Sequence, residues 1–216
     1  ININKLENCE VQLAIAAIDN LPAVSEVEPY HKTAIDKVRA ACDSLTAEQL
    51  GKVTNYATLT ALETAFNEKF EVVVEMTAEN NGYLARPATW LGTNYTIGYS
   101  ADETYGNLIV MNPVAKVTEA HNAFECTLTD ALDATKYDKV CFYVYNGSDS
   151  DKGLFVRFDG GTYIPSFMTL KSGWNKVEMT VEQFNTLNIL GIGSVSQTSA
   201  VYKFSDIYAV KKTSAG

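Results

Sequence analysis

Hydrophobic residues in the first 70 positions recur every three or four residues, the spacing that places them on one face of an α-helix. The first series ends before Pro22, the second follows Pro29, and the third follows Asn55, a good helix cap. Three such helices bury their apolar faces only against each other, so the pattern predicts a three-helix bundle. The apolar positions are Leu6, Cys9, Leu13, Ala17 and Leu21, with Val11, Ile15 and Ile18 widening this first face; Ile35, Val38, Cys42 and Leu45; and Tyr56, Leu59, Leu62 and Phe66.

After residue 70 the hydrophobic period changes to two, the spacing of β-strands. Turn sequences such as Asn146-Gly147 and Lys171-Ser172-Gly173 separate the segments. Short strands without a long helix between them predict an antiparallel β-sandwich of the jelly-roll type. The predicted strands are 71–76, 107–111, 123–129, 139–146, 154–159, 174–180, 189–192 and 202–210.

The predicted fold class is therefore α + β in two separate parts, a three-helix bundle over residues 1–70 and a β-sandwich over residues 71–216. Composition changes at the same boundary: of 13 glycines only Gly51 precedes it, and both tryptophans, Trp90 and Trp174, follow it. Glycine and aromatic residues are typical of turns and twisted sheets, which supports the division.

The net charge of −9, from 17 basic and 26 acidic residues, argues against nucleic acid or an anionic membrane surface as a partner. No run approaches the roughly 20 apolar residues of a membrane-spanning helix, so we expect no membrane insertion. The chain does not begin with Met and ends in small residues, so we expect a piece of a larger protein with neighbouring domains.

The helical part carries three short motifs, IDNLP at 18–22, LTAEQ at 45–49 and VTNY at 53–56. In this order, over about residues 10–68, they resemble the three-helix modules of Gram-positive bacterial surface proteins. The resemblance implies a spacer role and an extracellular or cell-surface location, and it brings no catalytic residues.

The β part carries a second group of motifs, YDKVCFYVYN at 137–146, GWN at 173–175 and FSDIYAV at 204–210. Together with the strand order, they resemble the galactose-binding-like jelly roll, a fold shared by many carbohydrate-binding modules. The resemblance implies a glycan or polysaccharide partner, but it names no sugar because the ligand loops of that family vary.

Sugar recognition needs flat aromatic faces for the C–H face of the ring and polar groups for its hydroxyls. The segment 80–107 is rich in both, and ordinary strands with half-buried tyrosines would give the same composition. Its candidate binding residues are Tyr83, Arg86, Trp90 and Asn94.

Alternation suggests a second candidate surface. Along 139–146 and 154–159, one set of side chains should face the core and the other set should face outward. If the two strands are neighbours, their outward residues form an aromatic platform that contains a guanidinium; a neighbouring domain or the helices could equally cover this face. The platform residues are Tyr143, Tyr145, Phe155 and Arg157.

Members of the resembled family often hold a structural calcium ion, and the resemblance suggests Glu75 and Asp206 as its ligands here. Surface carboxylates are the alternative interpretation of both residues. We interpret Trp174, which starts a strand, as an anchor of the sandwich, and we favour Trp90 as the ligand-binding tryptophan.

Catalysis is not expected, because no motif selects a pair of carboxylates. Neither His31, expected on the solvent side of the second helix, nor His121 lies in a nucleophile motif. Cys9 and Cys42 lie on apolar faces and are interpreted as buried free thiols, although a disulfide between them is geometrically possible.

The function predicted from the sequence is non-catalytic glycan binding by the β part. The helical part is expected to act as a spacer that sets the distance and orientation of the β part. The alternative is a structural or protein-docking module that has no glycan ligand.

Overall fold

The computed structural model describes residues 3–79, 83–87, 95–113, 121–128, 130–158, 161, 163–193 and 200–213. The chain divides into two compact units, Ile1–Phe70 and Glu71–Gly216. Among the described helices, none is both long enough and apolar enough to cross a membrane.

The first unit consists of helices and short helical turns. The α-helices α1, α2 and α4 contact one another, and the short α3 contacts α1. Buried side chains from these helices fill the interior, among them Ile18, Val38 and Leu62. The elements are α1 Ile3–Asp19, the 3-10 turns Val24–Glu26 and Pro29–His31, α2 Lys32–Asp43, α3 Ala47–Leu50 and α4 Tyr56–Lys69.

The buried face of α1 is only partly the predicted one. Val11 and Ile18, from the widened part of the predicted face, are buried together with Ala14, whereas Leu13 is 65% exposed and Cys9 is exposed. Apolar residues occupy most of the circumference of α1, so packing against α2 and α4 selects the face. Cys9 and Cys42 are free thiols; the prediction that Cys9 is buried is wrong, while Cys42 is fully buried.

His31 has a structural role that the sequence analysis did not predict. Its Nδ1 accepts a hydrogen bond from the backbone N–H of Glu28 at 2.9 Å, which caps the chain just before α2. Desolvation lowers the pKa of His31, against the opposing charges of Glu28 and Glu26. The residue is therefore a half-buried, neutral acceptor that closes the 3-10 turn before α2, rather than a solvent-facing residue of the second helix.

The second unit is a β-sandwich, as predicted. The seven-stranded sheet has the order β1-β12-β6-β11-β4-β3, with β9 also paired to β6, and the five-stranded sheet has the order β2-β5-β10-β7-β8. A short helix, α5 Val181–Thr186, follows β9. The strands are β1 Phe70–Val74, β2 Tyr83–Pro87, β3 Tyr95–Asp102, β4 Gly106–Pro113, β5 His121–Leu128, β6 Tyr137–Asn146, β7 Lys152–Phe158, β8 Tyr163–Leu170, β9 Gly173–Thr180, β10 Leu187–Gly193, β11 Tyr202–Ser205 and β12 Ile207–Lys211.

The core of the sandwich lies between the two sheets and follows the predicted alternation. Val140, Phe142 and Val144 from β6 pack there with Leu154 and Val156 from β7. The predicted inward faces of these two strands are therefore confirmed, and their alternate residues lie on the outer faces of the sheets.

The last strand is interrupted at Asp206, where β11 ends and β12 begins. Both segments pair with β6, while β4 flanks the first segment and β1 flanks the second. Ser205 Oγ accepts a hydrogen bond from the backbone N–H of Tyr143 at 2.8 Å and donates one to Asp206 O at 2.9 Å. The serine hydroxyl thus replaces a backbone bond that the interruption removes from the sheet.

Candidate functional site

The predicted platform does not form, because its two strands belong to different sheets. Tyr143 and Tyr145 are on β6, whereas Phe155 and Arg157 are on β7. The alternation correctly placed these residues on outer faces, but the faces are on opposite sides of the sandwich. Tyr143 is 5% exposed and Phe155 is 0% exposed, so neither offers an open ring to a ligand.

The candidates from the 80–107 segment are only partly within the described residues. Tyr83 and Arg86 lie on β2, the edge strand of the five-stranded sheet, and Arg86 is in register with Glu125. Trp90 and Asn94 lie outside the described residues. These four candidates stay predictions.

The outer face of the seven-stranded sheet carries an aromatic cluster, defined here as Tyr105, Tyr143, Tyr145 and Trp174. The ring of Tyr105 stacks on Trp174 with centroids 3.9 Å apart and planes at 27°. Tyr143 lies 5.1 Å from Tyr105, and Tyr145 lies 5.3 Å from Trp174, both in tilted arrangements. Tyr143 forms the buried base of the cluster, and the other three rings are half-buried.

The Gly-Trp-Asn sequence at the start of β9 places Trp174 in this cluster. Gly173 has φ +85°, a left-handed conformation that glycine adopts without strain. The Asn175 side chain fixes the turn, because Oδ1 accepts from Lys171 N and Nδ2 donates to Lys171 O, both at 2.8 Å. Trp174 then stands directly opposite Tyr145 across the β6–β9 pair.

A second turn, between β3 and β4, holds Tyr105. Asp102 Oδ1 accepts hydrogen bonds from the backbone N–H of Thr104 at 2.8 Å and of Tyr105 at 2.9 Å. Such a carboxylate-capped turn limits the conformations of the residues that it spans. The stacked Tyr105–Trp174 pair is therefore held from both sides by short turns.

Lys203 adds a cation to the edge of the cluster. It is the register partner of Tyr145 across the β6–β11 pair, and its Nζ lies 5.3 Å from the centroid of the Tyr145 ring. A half-exposed ammonium group beside aromatic rings supplies hydrogen-bond donors next to apolar faces. Sequence analysis assigned Trp174 to anchoring and did not group it with Tyr105 or Lys203.

The proposed calcium ligand Asp206 binds protein N–H groups. Its Oδ1 accepts from Met76 N at 2.6 Å and its Oδ2 accepts from Asn107 Nδ2 at 3.3 Å. Calcium takes six to eight oxygen ligands, and within the described ranges no group of three or more His, Cys, Asp or Glu residues could hold a metal ion. The arrangement fits a structural carboxylate, and the calcium site at Glu75 and Asp206 stays a prediction.

Asp206 should make the sandwich unit more stable in mild acid than at neutral pH. Burial raises the pKa of Asp206 from 3.8 to about 6, against the hydrogen bond from Met76 and with the help of the Glu75 charge. The folded state then binds the proton more tightly, so this contribution to stability is present below about pH 4 and is lost as the pH rises through about 6.

The comparison variant is Asp206→Asn, which does not titrate. The wild-type free energy of unfolding, relative to that of the variant, should increase by about 2 kcal/mol when the pH falls from about 7.5 to about 4.5. Thermal and urea unfolding at both pH values measure this difference. A constant difference would mean that folding does not change the pKa of the carboxyl group, and one that falls in acid would mean that folding lowers it; either result contradicts the prediction.

No protein-family model matches this sequence, and no curated protein matches it. Among solved structures, the chain is similar to a family 11 carbohydrate-binding module from Clostridium thermocellum in complex with a β-1,3-1,4-mixed-linked tetrasaccharide. The identity is 11% over 66% of this chain and 95% of that chain, with a TM-score of 0.41. It is also similar to a family 29 carbohydrate-binding module, with 10% identity over 65% of this chain and 87% of that chain and a TM-score of 0.43. With TM-scores below 0.5, these likenesses identify no ligand for this chain.

Proposed function

We propose that the β-sandwich unit is a non-catalytic glycan-binding module, and that residues 1–70 form a three-helix spacer in a larger secreted or cell-surface bacterial protein. The observation that carries the proposal is the stacked, half-exposed Tyr105–Trp174 pair on the outer face of the seven-stranded sheet. Tyr145 and Lys203 extend the same surface.

The cluster suits a pyranose ring for two reasons. Its aromatic surfaces match the apolar C–H face of a sugar, and the Lys203 ammonium group can donate to hydroxyl oxygens at the ring edge. The two turns fix Tyr105 and Trp174 before binding, so little conformational entropy is lost when a ligand docks. A surface site of this kind buries few ligand atoms, which predicts modest affinity.

Non-catalytic binding is favoured over hydrolysis by the chemistry of the cluster. Its members are three tyrosines and a tryptophan, with a lysine beside them. Glycoside hydrolysis needs an acid and a second carboxylate on either side of the scissile bond. Asp102, the carboxylate of the turn that carries Tyr105, accepts the backbone hydrogen bonds that hold this turn.

Removing the half-buried Trp174 should weaken glycan retention. We expect Trp174→Ala to lower the affinity for the retained glycan about tenfold, equivalent to about 1.4 kcal/mol, because the stacking surface is lost. The measurement is a glycan array followed by retention on plant, mucin and microbial polysaccharides, run with calcium and then with EDTA.

The matched control is Tyr99→Ala, which removes an aromatic ring that is 39% exposed and has not been placed in the cluster. Retention by this variant should equal that of the wild type. Equal loss in both variants, or no loss in Trp174→Ala, would contradict a site at the cluster. A blank result across all glycan classes would instead favour the structural or protein-docking module.

A further inference from the structure

Among the described residues, Arg157 is a cation for which no hydrogen bond or ion pair is found, in a protein that is acidic overall. The chain has 26 acidic residues and three arginines, and Arg39 is hydrogen-bonded to both Glu63 and Tyr56. Within the described part of the chain, the Arg157 guanidinium has no hydrogen bond or ion pair, and its Nε is buried without an acceptor. The residue as a whole is partly exposed, so part of the side chain reaches the protein surface.

A second buried polar atom for which the described structure shows no partner belongs to Asn188, the residue before the register partner of Arg157. In the β7–β10 pair, Leu187 is opposite Phe158 and Ile189 is opposite Arg157, so Asn188 is the extra residue of a β-bulge. The Oδ1 atom of Asn188 is also buried without a donor in the described structure. Bulges often redirect a side chain at a binding site, and this one places Asn188 one residue from Ile189, the register partner of Arg157.

The apolar, buried neighbours of Arg157 strengthen a hydrogen bond between its guanidinium and an anion. Val156 and Leu190 belong to the core, so Arg157 and Ile189 lie on the outer face of the five-stranded sheet. Phe155, on the same face, is fully buried, and Ile189 is 2% exposed. An apolar surrounding lowers the local dielectric constant, which strengthens a hydrogen bond between a guanidinium and an anion.

We propose that Arg157 and Asn188 form a second glycan subsite, which takes an acidic sugar. The guanidinium would bind the sugar carboxylate through its fork of N–H donors, and Asn188 Oδ1 would accept a hydroxyl proton of the same sugar. A neutral sugar would leave the guanidinium without a counter-charge. This inference rests on the proposed function, but it uses the sheet opposite to the aromatic cluster, so the two sites can be tested separately.

The test compares acidic polysaccharides with their carboxyl-reduced forms, which keep the backbone and lose the charge. Polygalacturonate, alginate and hyaluronan are suitable probes, at about 0.15 M salt, where repulsion from the acidic protein is screened beyond about 8 Å. We expect the wild type to retain at least one acidic form ten times more strongly than its reduced form. Arg157→Gln should abolish that preference, and Asn188→Ala should reduce it about threefold.

Two controls separate a specific contact from general charge. Lys136→Gln removes one positive charge from an exposed side chain of the same unit and should keep the preference. Arg157→Lys keeps the charge but loses the planar fork, and should retain only part of the preference. In ¹⁵N spectra of the arginine side chains, the Nε–H signal of Arg157 should shift on binding while that of Arg39 stays in place.

The outcomes distinguish the two proposals. Retention of neutral glycans that is lost in Trp174→Ala, with no preference for acidic forms, would overturn the Arg157 subsite and leave the proposed function standing. A preference for acidic forms that survives in Arg157→Gln would also overturn the subsite. If no glycan of either kind is retained, both proposals fall.

Discussion

Asp206→Ala should lower the free energy of unfolding of the sandwich unit by about 3 kcal/mol, because the variant removes the acceptor of the buried Met76 N–H and of the partly buried Asn107 amide. The carboxylate accepts from the backbone N–H of Met76 and from the side chain of Asn107, and Asp206 N donates to Asn107 O at 3.2 Å. These bonds hold together three parts of the chain that are far apart in sequence, at the point where β11 ends and β12 begins. For a unit of this size, the loss corresponds to a fall in Tm of about 6–12 °C.

Urea unfolding of the wild type and the variant at neutral pH measures this loss. The control is Asp149→Ala, which removes a carboxylate from an exposed position in a loop and should change stability by no more than about 0.5 kcal/mol. If Asp206→Ala unfolds within that margin of the control, the carboxylate does not stabilise the interrupted strand.

Gly147→Ala should destabilise the unit by about 2–3 kcal/mol, although the residue is exposed. A Cβ at this position would lie 2.2 Å from the carbonyl oxygen of Val201, a backbone atom that cannot rotate away. Movement of the loop is opposed by Asn146, which is fully buried. Its Nδ2 donates to Ser150 O at 3.0 Å and to Leu170 O at 3.2 Å.

The matched control for this variant is Gly98→Ala, in which the new Cβ would meet the side chain of Asn112 at 3.3 Å. A side chain can move by a few tenths of an ångström, so this variant should lose less than about 1 kcal/mol. Gly147 also lies against the Tyr145 ring, so near-ultraviolet circular dichroism should change in Gly147→Ala and not in Gly98→Ala. Equal stability of the two variants would contradict the close approach to Val201.

Local periodicity predicted much of this fold. The buried faces of α2 and α4 were correct, with Ile35 and Val38 in one helix and Leu59 and Leu62 in the other. The alternation along β6 and β7 was also correct, because residue spacing alone determines which side chains share a face of a strand.

Strand order could not be predicted in the same way. Alternation says that Tyr145 and Arg157 face outward, but it contains nothing about which strands hydrogen-bond to each other. β7 pairs with β10 and β8, and Tyr163–Leu170, the β8 segment, was not predicted as a strand. The platform prediction was therefore wrong because it required β6 and β7 to be neighbours, and residue spacing does not determine which strands pair.

The aromatic cluster could have been found in part from local signals. Asp102 precedes Tyr105 by three residues, and Gly173-Trp174-Asn175 combines a left-handed glycine with a turn-fixing amide. Each pattern predicts a fixed turn that presents an aromatic ring. The sequence does not show that the rings of Tyr105 and Trp174 stack on each other, because this depends on how the strands pair.

The position of the final strand also has a consequence for biosynthesis. β11 and β12 lie between β6 on one side and β4 and β1 on the other, so the centre of the seven-stranded sheet is made last. During translation, β1 and β4 cannot join β6 through this strand until residues up to Lys211 have left the ribosome. We expect the sandwich to complete its fold only after its own last strand has been synthesised, and slowly, because its central pairings close long loops of chain.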